Sequence, residues 1–168
     1  MPVIDKHAQV IEDFWDYPDQ ALGAKPQMNA VLTVDDLHVL GSEPPVVRPI
    51  GVYAPAGTTA DVIVPYLNRL DLVLVEFPKF RDGRGFTLAR TLRDKLGFRG
   101  DIRAIGHVLP DQFAALIQCG FTSIVLPGDH PVEQWKVNAG SSVGPTGGPL
   151  LRRLLSERTA SAAGTEKT

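Results

Sequence analysis

Eleven consecutive residues near the middle of the chain concentrate its chemistry. They read Glu76-Phe77-Pro78-Lys79-Phe80-Arg81-Asp82-Gly83-Arg84-Gly85-Phe86. Two glycines allow a tight turn and close backbone approach. Amide groups at the start of a following helix attract anions, and Lys79, Arg81 and Arg84 can supply charge. The planar fork of arginine suits phosphate, sulfate or sulfite. Arg103 lies in the next apolar run, and His107 follows its end, so both are expected to face the same crevice. Lys79, Arg81, Gly83, Arg84, Gly85 and Arg103 therefore form a candidate anion site. Glu76, Asp82 and His107 are the acid/base candidates beside it.

Each of these has a plainer role to set against the chemical one. Glu76 can pair with a neighbouring arginine, and Asp82 can brace its turn by bonding nearby amides. Asp111, in a first helical turn, complements the helix dipole. Arg90 and Arg93 can cover an exposed helix side, and Cys119 can sit buried as a small apolar residue.

Other chemistries lack their residues. One cysteine and no CxxC leave no disulfide framework, dithiol or cluster site, and His107 has no second ligand at metal spacing. Gly83-Arg84-Gly85-Phe86-Thr87-Leu88 carries only the first two glycines of a dinucleotide fingerprint. There is no P-loop and no G-x-S-x-G elbow, and Arg84-Gly85-Phe86 continues as helix where an RNA-binding strand would carry more aromatics. No cofactor is identifiable. Seventeen basic against nineteen acidic residues argue against a nucleic-acid partner. The lack of a long apolar run argues against a membrane one, and Met1–Lys6 lacks the features of a signal peptide, so a cytoplasmic protein is expected.

The charge is unevenly spread. Residues 1–78 carry four basic and eleven acidic side chains, whereas residues 79–103 carry eight basic and three acidic. A solvated helix face is the plain reading of such a run, and an anion site is the other, because several of its arginines flank a glycine turn rather than a helix surface.

The elements that must position these residues follow from apolar spacing. Ile50–Tyr53, Leu72–Phe77, Ile102–Ile105 and Ser123–Leu126 are short apolar runs. Helical spacing separates them over Thr59–Leu70, Gly85–Leu96 and Pro110–Cys119. Gly97 suits the position just past a helix end, and Pro110 a first helical position. Such alternation predicts an α/β fold, a mostly parallel sheet with helices on its faces around a βαβαβαβ core. Singly and doubly wound open sheets both fit, and a partial β/α-barrel-like arrangement is the alternative.

The organisation follows. Residues 1–46 are expected to be an irregular strand and loop portion of the same domain, with a strand at Val10–Trp15 and, over Ala30–Leu40, a strand running into a short helix. Residues 47–139 form the α/β core, in which Trp135 and Val137 anchor a last strand or turn. Residues 140–149 (GSSVGPTGGP) are a flexible linker by composition, and 150–168 hold a short amphipathic segment and a disordered tail.

The central block, together with Ala89-Arg90, Leu92-Arg93, Gly97-Phe98-Arg99-Gly100, Arg103-Ala104-Ile105-Gly106, Asp111-Gln112 and Cys119-Gly120-Phe121, resembles a bacterial family of unknown function. Its members are usually labelled as oxidoreductases of sulfite reduction, and their genes typically lie beside assimilatory sulfite reductase. The resemblance runs over roughly residues 47–127. It implies a cytoplasmic role in sulfur assimilation, with sulfite reductase as a partner. His107 and Pro110 stand where members often have Asp and Arg. Three functions follow as expectations: an accessory protein that holds an oxyanion or docks on the reductase, an enzyme acting on a phosphorylated or sulfonated metabolite, and a scaffold whose arginines pair internally with the acidic first half.

Overall fold

Apolar runs that are continuous along a strand imply burial on both sides, because successive side chains point to opposite faces. The computed structural model, which describes residues 1–18, 27–41 and 47–140, shows how this is met. Its strands are β1 (Val3–Asp5), β2 (Val10–Ile11), β3 (Val31–Thr33), β4 (Gly51–Ala54), β5 (Leu72–Phe77), β6 (Asp101–Gly106) and β7 (Ser123–Val125). They form one sheet in the order β2-β1-β7-β6-β5-β4-β3. From β3 to β7 all neighbours are parallel, and β1 joins antiparallel to β7 and to β2. The fold is α/β with a mostly parallel, open sheet, and it does not close into a barrel.

The helices are α1 (Ala60–Ile63), which runs on as a tighter turn over Val64–Arg69, α2 (Arg84–Arg90), α3 (Phe113–Gln118) and α4 (Val132–Gly140). One side of the sheet packs Val73, Val75 and Phe77 against Ile63, Leu88, Leu92, Leu116 and Trp135. The other side packs Leu72 and Leu74 against Trp15, Val31 and Val125. Every helix contributes to the first side, and the amino-terminal segment covers the second, so the sheet is singly wound. Each large side chain buried this way is worth about 1.5–3 kcal/mol relative to exposure.

Sequence punctuation is used as expected at Gly97, whose φ of +65° ends the second helical stretch. Before it, Thr91–Lys95 widen into a π turn in which the Leu96 amide bonds the Thr91 carbonyl at 3.1 Å. From that turn Arg93 donates to the carbonyls of Gly120, Phe98 and Gly100. It ties two loops together rather than covering a solvated face, and burial pulls its pKa down.

Two expectations change. Val10–Trp15 pairs only at Val10–Ile11, after which the chain crosses the sheet to bury Trp15. Trp135 and Val137 lie in helix α4, not in a strand or turn. The buried Trp135 indole meets the Phe113 ring edge to face, 6.2 Å between centroids, and this tertiary contact outweighs the weak helix preference of Trp and Val. The expected linker beyond Gly140, the 150–168 segment and most of the Gly41–Pro45 break lie outside the described residues.

Candidate functional site

A sheet whose parallel strands follow chain order has no point where the winding reverses, so it opens no crevice between diverging loops. Instead, the loops after β4, β5 and β6 stand in a row along the carboxyl edge. The loop after β5 carries the basic glycine turn.

That turn is closed by the Asp82 amide, which donates to the Lys79 carbonyl at 3.0 Å. Gln112, from the β6–α3 loop, fixes it further by donating to the Phe80 carbonyl at 2.6 Å. Lys79, Phe80 and Arg81 all project into solvent, and Phe80 is 46% exposed despite its ring. The Arg81 guanidinium sits 5.4 Å from the Phe80 ring centroid. Among the described residues neither Lys79 nor Arg81 has a carboxylate partner.

Arg84 is held differently. Its Nε and a terminal nitrogen donate to the two carboxylate oxygens of Asp82 at 2.9 and 2.6 Å, and its backbone amide adds a third bond at 3.1 Å. These bonds pull the Asp82 carboxyl down to about 2 and raise the Arg84 pKa. Its other terminal nitrogen lies 3.2 Å from where a Cβ on Gly57 would stand. Arg84 thereby lines a cleft of about 390 Å³ between the β4–α1 loop and α2, with Thr58, Thr59 and Thr87.

The two glycines have different reasons from the ones expected. Gly83 has an ordinary φ of −76°, with open space where a side chain would go. Gly85 is buried in α2, and a Cβ there would come within 2.6 Å of the Phe77 ring. It serves helix-to-sheet packing, not approach to an anion.

Arg103 leaves the site altogether. It shares a sheet face with Asp101 and Ser123, opposite the helices, and is 3% exposed. It donates to Asp101 at 2.9 Å, to Asp13 at 2.8 Å, to the Tyr17 hydroxyl at 2.9 Å and to Ser123 at 2.8 Å. Burial works against its charge, but Asp101, Tyr17 and Asp13 outweigh this and raise its pKa. This is an internal pairing with the acidic first part of the chain. Tyr17, which also donates to Asp13 at 2.6 Å, is pushed up to about 12, first by burial and then by that bond.

The acid/base candidates do not converge either. Glu76 accepts the Ala56 amide at 3.2 Å and bonds the Tyr53 hydroxyl instead of pairing with an arginine. Burial and then Glu76 push Tyr53 up to about 12. Asp82 is engaged by Arg84, and His107 is exposed after β6, its backbone amide bonding the Phe77 carbonyl at 2.7 Å. Cys119 is 8% exposed, with an Arg90 nitrogen 3.5 Å from its sulfur. No group of three or more His, Cys, Asp or Glu among the described residues could hold a metal ion.

Sequence reasoning missed the Tyr53–Glu76–Ala56 latch, which joins residues 20 or more positions apart and leaves no local signal. It also missed the Arg103 network, although the two-residue spacing from Asp101 puts both on one face and could have revealed it.

The arrangement is thus an exposed cation–aromatic–cation turn beside a small threonine-rich cleft. It fits recognition of negative charge better than acid/base catalysis. No helix among the described residues is long and apolar enough to cross a membrane. No curated protein and no solved structure matches the chain. One family model does, over residues 51–142, from β4 to just past α4, and so over more than half of the sequence. The chain belongs to that family, described as a bacterial protein of unknown function (DUF934).

Proposed function

We propose that this protein is an accessory component of assimilatory sulfite reduction that docks through its basic turn on an acidic surface of the reductase. The observation that carries this reading is the exposure of Lys79, Phe80 and Arg81 with no carboxylate partner among the described residues. Two unpaired cations flanking an exposed ring form a compact hot spot, since aromatic and arginine side chains dominate binding energy at interfaces. Opposite charge on the partner steers the encounter and is screened by salt. The resemblance described above supplies the pathway.

A strain lacking the protein tests the reading. It should fail to grow on sulfate or sulfite and be rescued by sulfide or cysteine. A K79E/R81E allele should rescue poorly, although both side chains are exposed and the fold is retained. Normal growth of the deletion strain on sulfite, or full rescue by K79E/R81E, would defeat the proposal.

The cleft beside Arg84 favours a second reading, an enzyme acting on a small phosphorylated or sulfonated metabolite. There the Arg84 guanidinium, the Thr59 and Thr87 hydroxyls and the Gly57 backbone supply donors for an oxyanion, with Asp61 the acid on the same wall and the Thr58 hydroxyl engaged on the Pro55 carbonyl. Binding of inorganic phosphate or sulfate that Arg84→Ala abolishes would favour this reading over docking.

A further inference from the structure

We propose that a second cleft, between the β1–β2 turn and helices α3 and α4, binds a small organic carboxylate with an apolar body. This site is separate from the basic turn and does not depend on its role. The cleft measures about 450 Å³, within the range that encloses small ligands. Phe113, Ala114 and Ile117 of α3 and Ala139 of α4 make it apolar on one side. Lys6, from the turn, and Lys136, one helical turn before Ala139, supply the charged rim, with the His7 ring beside Lys6 in sequence.

Among the described residues no carboxylate lines this cleft, although residues 1–78 are strongly acidic as a group. The nearest acid in sequence, Asp5, is not among the lining residues, and it is engaged within the turn: its Oδ1 accepts the amides of His7 and Gln9, both at 2.9 Å. Glu133 lies on α4 one turn before Lys136, and the two form no ion pair. Lys6 and Lys136 are exposed and have no ion-pair partner among the described residues.

The combination selects for chemistry. A bare oxyanion would meet the ammonium groups but leave the apolar wall in water. A neutral apolar molecule would cover the wall and gain nothing from the charges. A carboxylate on an aliphatic or aromatic body uses both, with the charge-assisted bonds at the rim and the hydrophobic gain below.

Calorimetric titration of the full chain tests this with three probes: octanoate, octanol and inorganic sulfate. One octanoate should bind per chain, with octanol and sulfate at least tenfold weaker. K6Q/K136Q, whose altered residues are both exposed, should melt at the wild-type temperature and lose at least tenfold in octanoate affinity while leaving octanol unchanged. K79E/R81E should bind octanoate as the wild type does. The proposal is overturned by absence of saturable octanoate binding, by equal binding of octanol, by undiminished binding to K6Q/K136Q, or by loss of binding in K79E/R81E, which would move the anion to the turn.

Discussion

Replacing Arg103 by methionine separates the structural account of the central arginines from a ligand-binding one. The guanidinium is 3% exposed and bonds Asp101, Asp13, Tyr17 and Ser123 at 2.8–2.9 Å. Its removal strands two carboxylates whose side chains are 18% and 25% exposed. Breaking a fully buried pair costs about 3–5 kcal/mol, and the partial solvation of both acids here reduces this to about 2–4 kcal/mol. For a chain of this size each kcal/mol moves the melting temperature by about 2–4 °C, so R103M should melt roughly 5–15 °C lower. Thermal and urea unfolding followed by circular dichroism measure this directly. D13N/D101N/R103M should recover part of the loss, because no unpaired charge is left behind. An R103M melting temperature within 2 °C of wild type, or lost partner binding with unchanged stability, would refute the reasoning and return Arg103 to the site.

Other perturbations follow from the same geometry. Tyr17 and Tyr53 have folded pKa values of about 12 against an ordinary 10, so the stability they contribute is complete below pH 10 and lost as pH rises through 12. Ultraviolet titration should show two of the three tyrosines ionising near 12, and Tyr17→Phe and Tyr53→Phe should each remove one such step. Gly85→Ala should destabilise by about 1–3 kcal/mol, because its Cβ would press on the buried Phe77 ring, a loss readable in the urea midpoint. Asp82 is held near 2, so its pairing with Arg84 is complete above the ordinary carboxylate value of 3.8 and is lost only as pH falls through about 2. Asp82→Asn should release Arg84 at neutral pH and speed association with an acidic partner, seen as a higher rate constant at low salt.

Much of the fold was legible because its signals are local. The run Leu72–Phe77 was read with the bounds that β5 has, since six apolar or aromatic-flanked residues between polar turns leave little choice. Pro110 and Gly97 mark a start and a stop because each constrains a single backbone angle. Helix α4 was not legible: Trp135 and Val137 favour strands locally, and it is tertiary packing, Trp135 on Phe113 with Val132 and Ala139 against the core, that favours the helix. The site was legible as a charge cluster but not as a geometry. Counting cations along the chain put Arg103 with Arg84, yet strand alternation sends Arg103 to the face opposite the helices, where Asp13 arrives from 90 positions away. Gly85 looked like a turn residue because its true constraint, the Phe77 ring, belongs to a neighbouring strand. Whether arginines converge depends on strand order, and no single stretch of sequence encodes that.

The docking claim is met most directly by surface-based binding of the full chain to immobilised sulfite reductase at several salt concentrations. The account predicts saturable binding that weakens as salt rises and drops at least tenfold in K79E/R81E, with Arg103→Met unaffected below its melting temperature. Equal binding by K79E/R81E, or no binding by the wild type at low salt, would contradict it.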